Sequence, residues 1–185
     1  MRVISGKVRG KKLYSLEGEH TRPTLDRIKE SLFNIIQFKI KNGIILDLFA
    51  GSGSLGIECL SRGAKKVIFC DNSISAIKII NQNLKSTKFT NQAIVINKDY
   101  ILGLKKVAKE FKKFDIIFLD PPYKTDFIIK ALEQIVELDL LNKDGMIIVE
   151  TDNENIEKQI LENEDIEIFD TRKYGRVRLI FIGKS

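Results

Sequence analysis

An apolar strand that runs directly into three spaced glycines does most to limit what this chain can become. Ile44, Ile45, Leu46 and Leu48 precede Gly51, Gly53 and Gly56, and a helical pattern opens at Ser54. The G-x-G-x-x-G spacing between strand and helix requires a tight turn that glycine enters most easily. The helix must then cross back over a sheet, and such crossovers join parallel strands. The rest of the chain repeats this unit. Strands are predicted over 44–48, 66–70, 93–97, 114–119 and 146–150, with helices over 54–62, 74–84, 101–111 and 127–138 between them. A helix over 153–161 precedes two apolar runs, 166–171 and 177–182, which read as a terminal hairpin. The fold predicted is α/β: a mostly parallel seven-stranded sheet with helices on both faces, ending in an antiparallel C-terminal strand.

Residues 1–16 hold Gly6 and Gly10 between short apolar stretches and read as a small N-terminal β-hairpin. Thr24 reads as the N-cap of a helix in which Leu25, Ile28, Leu32, Ile35 and Ile36 recur at helical spacing to about residue 40. Asn42 and Gly43 stop it. The expected organisation is an extension over 1–42 followed by a main domain over 43–185.

Acids stand at the ends of the predicted strands. Asp47 lies four residues before Gly51. A carboxylate there is a poor match for a pyrophosphate and a good one for a ligand with an ammonium and a sulfonium. Asp71 ends the second strand, where an acid holds ribose hydroxyls of either a nicotinamide or a sulfonium nucleoside. Asp99 ends the third strand. It reads as an acceptor for an adenine amino group or as the N-cap of the next helix.

Asp120-Pro121-Pro122-Tyr123 follows the fourth apolar run. Pro121 stiffens the exit and biases Asp120 away from helical geometry. The Asp120 carboxylate and the Pro121 carbonyl are two acceptors beside an aromatic face, a set that suits a planar base bearing an amino group. If the first and fourth strands are neighbours, this turn faces the glycines across the crevice where open α/β sheets bind ligands.

Hydrophobic residues make up 43% of the 185-residue chain and charged residues 30%, as in a soluble globular protein. No apolar run is long enough to span a bilayer, the N-terminus lacks a signal-peptide pattern, and no membrane partner is expected. Cys59 and Cys70 have neither metal spacing nor a disulfide pattern, which points to the cytoplasm and to no metal. His20, the sole histidine, reads as a loop residue. The net charge of +6 is concentrated: residues 1–42 hold ten Lys/Arg against four Asp/Glu, and residues 43–185 hold 21 of each. Arg2, Lys7, Arg9, Lys11 and Lys12 form a cluster suited to a phosphate backbone, or simply to a solvated face.

Asp47–Gly56, Asp71, Asp99 and Asp120–Tyr123, in that order, resemble the Rossmann-like class I S-adenosylmethionine-dependent methyltransferases that act on amino groups. Residues 22–34, 4–10, 47–64 and 173–175 are similar to signatures of the RsmD family. That resemblance spans nearly the whole chain and implies methylation of the exocyclic N2 of a guanine in 16S ribosomal RNA. It implies S-adenosylmethionine held by Asp47, Phe49, Ala50, Gly51, Ser52, Gly53, Gly56, Asp71, Asn72, Asp99 and Tyr100. Asp120, Pro121, Pro122 and Tyr123 would serve the target base. Arg2, Lys7, Arg9, Lys11, Lys12 and Arg22 would hold the RNA, within a small-subunit ribonucleoprotein, with the enzyme a monomer. The rival readings are an adenine-N6 methyltransferase, a nicotinamide oxidoreductase and a non-catalytic RNA-binding protein on the same scaffold.

Overall fold

The computed structural model describes residues 1–16, 23–111, 113–122 and 126–185, with the side chains of 23–25 left aside. Seven strands and six helices follow one another as α1 (Pro23–Ile40), β1 (Ile44–Asp47), α2 (Ser54–Ser61), β2 (Lys66–Asp71), α3 (Ile74–Thr87), β3 (Ala93–Asn97), α4 (Tyr100–Glu110), β4 (Phe114–Leu119), α5 (Asp126–Glu137), β5 (Leu141–Thr151), α6 (Ile156–Ile160), β6 (Ile166–Tyr174) and β7 (Val177–Lys184). The strands form one sheet in the order β3-β2-β1-β4-β5-β7-β6. β1 pairs parallel with β2 on one side and with β4 on the other, so strand order reverses between β1 and β4. β7 runs antiparallel to both β5 and β6. The antiparallel C-terminal strand is therefore present, but it lies inside the sheet, and β6 takes the edge.

Both faces are covered, as strands with near-continuous apolar runs require. Alternate residues point to opposite sides. Ile45, Phe69, Ile116, Phe118 and Ile148 face α1, α2 and α3, where Ile28, Leu32, Ile57, Leu60, Ile80 and Leu84 meet them. Leu46, Ile68, Ile117, Leu119 and Val149 face α4, α5 and α6, against Leu104, Val107, Ile128, Leu132 and Ile160. Phe118 is 1% exposed and its ring lies 6.3 Å from that of Phe33, so truncation to alanine there costs roughly 3–5 kcal/mol.

Three local expectations need correction, and a fourth is met in short form. α1 opens at Pro23, so Thr24 lies inside the helix and not at its cap. Proline suits that first position because its missing N–H has no helical partner to lose. The N-terminal hairpin is present in short form: Arg2 bridges Lys12, the Val3 N–H donates to the Lys11 carbonyl at 2.9 Å and the Leu13 N–H to the Met1 carbonyl at 3.0 Å. Gly6 and Gly10, at φ 87° and 81°, curl the chain too tightly for longer pairing. α6 is one turn, Ile156–Ile160, because only Ile156 and Ile160 of that stretch are buried in the core. β5 begins five residues early, since Leu141 pairs with Phe114 before a register shift reaches Met146.

The N-terminal arm is fastened along α2. The buried Glu58 carboxylate accepts the N–H groups of Ile4 at 2.8 Å and Ser5 at 3.0 Å. It also pairs with Lys29 at 3.2 Å and Arg62 at 2.8 Å. At the helix C-terminus, where carbonyls lack partners, the Lys7 N–H donates to the Ser61 carbonyl at 2.8 Å. A Cβ on Gly6 would lie 2.0 Å from that same oxygen, so no other residue fits there. Val3 and Leu13 share the apolar cluster of Ile45 and Ile116, so the core is continuous across residue 42.

Candidate active site

The glycine turn is held from three directions. Gly51 and Gly53 adopt left-handed backbone at φ 53° and 78°, the region that penalises a side chain. The Asp71 carboxylate, from the end of β2, accepts the Gly51 N–H at 2.9 Å and the Ser73 N–H at 2.8 Å. The Asp47 carboxylate accepts the Gly56 N–H at 3.1 Å. From behind, the buried Asn83 amide donates to the Ser52 carbonyl at 2.9 Å. That same amide donates to the Tyr14 carbonyl at 3.0 Å and accepts the Tyr14 N–H at 2.8 Å. Gly56 packs rather than bends: a Cβ there would sit 2.2 Å from the Phe69 ring, so its absence lets α2 lie on β2.

Asp47 is 2% exposed. Burial pushes its carboxyl up to about 7, opposed by the Gly56 hydrogen bond, reinforced by the Asp71 charge and opposed again by Lys29. A group that is half ionised near neutrality responds to any cation brought beside it. Asp99 caps α4 through one oxygen, accepting from Ile101 and Leu102 at 3.0 and 3.1 Å. The N-cap reading of Asp99 therefore holds in the structure. Asn72 is exposed between the Asp71 strand end and α3, and Ala50 is buried with its N–H donating to the Cys70 carbonyl at 3.0 Å. Phe49 and Tyr100 stand 5.3 Å apart, and Phe127 at the start of α5 completes a three-ring cluster with them at 6.3 and 5.1 Å.

Asp120 and Pro121 leave the end of β4 beside β1. The Leu48 N–H donates to the Phe118 carbonyl at 3.2 Å, two residues before Asp120. The two motifs thus meet across the β1/β4 switch. Asp120 and Pro122 are exposed, and Asp120 lines a narrow crevice with Leu32 of α1, Leu55 of α2 and Glu150 of β5. Tyr123 and Arg22 lie outside the described residues. A larger groove, of about 420 Å³, lies between α5 and residues 159–164 and contains none of these groups.

Arg2, Lys7, Arg9, Lys11 and Lys12 are all exposed. Arg2 and Lys12 face each other across the antiparallel bridge, and the Lys11 carbonyl accepts the Val3 N–H at 2.9 Å. Lys7 lies by Ser61 at the end far from the glycine turn, and Arg2 pairs with Asp26 of α1 at 3.6 Å.

Sequence reasoning missed Glu58, Asn83, Phe127 and Glu150. Glu150 had a signal: it ends the strand predicted over 146–150, as Asp71 follows the one predicted over 66–70. Glu58 and Asn83 had none, because each acts on chain more than 50 residues away. Among the described residues no cluster of His, Cys, Asp or Glu could hold a metal ion, and no helix is long and apolar enough to cross a membrane.

Comparison with known proteins agrees with this geometry. The structure of the Escherichia coli protein yhhF superposes on the chain with a TM-score of 0.86 at 28% identity, covering 100% of this chain and 98% of that one. The Bacillus subtilis protein YlbH is 46% identical over 83% of this chain and 84% of its own length. The ribosomal RNA small subunit methyltransferase D of Haemophilus influenzae is 41% identical over 83% of this chain and 80% of its own. The family described as Conserved hypothetical protein 95 matches residues 1–183, and with it this chain belongs to the RsmD family.

Proposed function

We propose that this chain transfers a methyl group from S-adenosylmethionine to the exocyclic N2 of a guanine in 16S ribosomal RNA. One observation carries the reading: Asp120-Pro121 leaves β4 directly across the strand-order switch from the Gly51–Gly53 turn. A donor held over the glycines and an amine held by Asp120 would meet in one crevice. The relative named as a small-subunit ribosomal RNA methyltransferase supports the substrate class.

The donor set fits a sulfonium nucleoside. The Asp47 and Asp71 carboxylates both bond to the glycine segment, and no Lys or Arg occurs from Asp47 through Gly56. That is a hostile surface for a pyrophosphate and a favourable one for a cation. When bound, S-adenosylmethionine supplies an electrophilic methyl group. Asp47 would face its positive charge, Asp71 would take ribose hydroxyls, and the Phe49–Tyr100–Phe127 rings would wall the nucleoside. The target base leaves its stack, at a cost of a few kcal/mol that is smallest in a loop. The Asp120 carboxylate and the Pro121 carbonyl accept the amine hydrogens and aim the nitrogen lone pair, while Tyr123 stacks on the base. The methyl group would pass to the aimed nitrogen as its bond to sulfur breaks, the donor would leave as a neutral thioether, and the amine would release its proton to water. Alignment and fixed charge supply most of the rate. The substrate is presented within a small-subunit particle to a cytoplasmic monomer.

Mass spectrometry of ribosomal RNA from a strain lacking this protein tests the reading. Loss of one N2-methylguanosine from 16S RNA, restored by the purified protein, is expected. Loss of an N6-methyladenosine instead, or no loss at all, overturns it.

A further inference from the structure

Glu150 sits beside Asp120 at the ends of two neighbouring strands. Leu119 and Val149 are register partners on adjacent parallel strands. Phe118 and Ile148, one step earlier, both face α1 and α2. The next residues with that orientation are Asp120 and Glu150, and both line the crevice closed by Leu32, Leu55 and Leu179. Among the described residues the Glu150 carboxylate makes no hydrogen bond and no ion pair. Burial pushes its carboxyl above the ordinary glutamate range. A half-buried carboxylate with apolar walls and a second acid alongside is costly unless a ligand brings donors.

Two adjacent acceptors call for two adjacent donors. The Watson–Crick edge of guanine offers them: the N2 amine and, next to it, the N1–H. Adenine offers an amine beside a bare N1, whose lone pair would face a carboxylate. We propose that Glu150 accepts the N1–H of the target guanine while Asp120 holds the amine, so that Glu150 is the residue that selects guanine over adenine. The proposal rests on the guanine-N2 reading given above. It assigns specificity to repulsion of the wrong base as much as to attraction of the right one. A site built around a substrate N–H discriminates strongly against an analogue that lacks it, because its own polar group is then left unpaired.

The test uses 2-aminopurine, which keeps the 2-amino group but has an unprotonated N1. Once the modified nucleotide is mapped, small-subunit particles are assembled with guanine or 2-aminopurine at that position. The ratio of kcat/KM for the two is measured with wild type and with Glu150→Gln, whose amide can donate to a bare N1. The wild type should favour guanine by about tenfold or more, and Glu150→Gln should shrink that ratio by about tenfold. Comparing ratios removes any intrinsic difference in amine reactivity. Melting temperature and S-adenosylmethionine affinity establish that the variant is folded with its cofactor site intact. An unchanged ratio in such a variant overturns the proposal. So does a wild type that treats both bases alike, a result that needs no variant at all. Failure of the wild type to methylate guanine N2 in any particle is a different outcome, and it removes the underlying reading together with this one.

Discussion

The Gly51 N–H donates to the Asp71 carboxylate at 2.9 Å, so the residue expected to hold ribose also holds the turn proposed to carry the ligand. Asp71→Ala removes both functions. A hydrogen bond to a charged group is worth roughly 1.5–3 kcal/mol, so S-adenosylmethionine affinity should fall by about tenfold or more. Asp71→Asn keeps one acceptor oxygen and should lose less. Calorimetry on the folded variants decides it, and unchanged affinity in Asp71→Ala takes the residue out of the site. Binding of NAD by the wild type in place of S-adenosylmethionine would point to an oxidoreductase.

Asp120→Ala should abolish turnover and leave cofactor affinity nearly intact if, as proposed, Asp120 serves the base across the crevice from the glycine turn. Tyr123→Ala should lose stacking worth on the order of 1–3 kcal/mol, while Tyr123→Phe keeps most of the activity. Single-turnover methylation alongside cofactor titration separates these effects. Full activity in Asp120→Ala would reduce the turn to a structural element.

The Asp47 carboxyl, raised from 3.8 to about 7, makes two pH signatures. A raised folded-state value favours the protonated form in the fold. Its stabilising contribution is complete below the unfolded value of 3.8 and is lost as pH rises through about 7. Relative to Asp47→Asn, the ligand-free wild type should therefore melt lower at about pH 8 than at about pH 5. A cationic ligand favours the ionised form, so S-adenosylmethionine affinity should rise through the same range and flatten in Asp47→Asn. Parallel profiles for the two proteins would show that Asp47 does not titrate there.

Glu58→Ala strands the buried Lys29 ammonium, which burial already pushes toward its neutral form. It also frees the N–H groups of Ile4 and Ser5. The loss should be roughly 3–5 kcal/mol, read by chemical denaturation. Glu58→Gln retains shape and hydrogen-bonding capacity and should lose less. Equal stability in both variants would mean the arm is held by its apolar contacts alone.

The basic arm predicts a salt dependence. Each phosphate contact adds about 0.7 to the slope of log affinity against log salt for single-stranded RNA. Neutralising Lys7, Arg9 and Lys11 together should flatten the slope by roughly 2 if all three touch phosphate, and raise KM without changing cofactor affinity. If slope and KM stay the same, the arm's charge serves solubility, and the RNA surface belongs at the β6–β7 turn around Lys173 and Arg176.

The sheet was legible because its strands are short apolar runs bounded by turn residues, and the glycine spacing located the crevice. Boundaries failed where packing overrode local pattern. Lys143, Asp144 and Gly145 do not look like strand, yet they continue β5 because Leu141 is held against Phe114. The acids at strand ends were visible as a class, since Asp47 and Asp71 terminate apolar runs. What Asn83 does was not visible. A polar residue in the middle of α3 is ordinary until the chain at Tyr14 and Ser52 is brought to it from opposite sides.

The position of β7 leaves β6 with one bare flank of backbone, the kind of edge onto which a second chain can zip. Three features blunt it. Glu167, Asp170, Arg172 and Lys173 scatter both signs of charge along the strand. A register shift between Ile168 and Asp170 twists it out of line. At its end, Tyr174 bonds to Ser31 of α1 and ties the strand down to the body of the protein. The same hairpin can therefore carry Arg176 out at the rim as a bare cationic tip without becoming a seed for self-association.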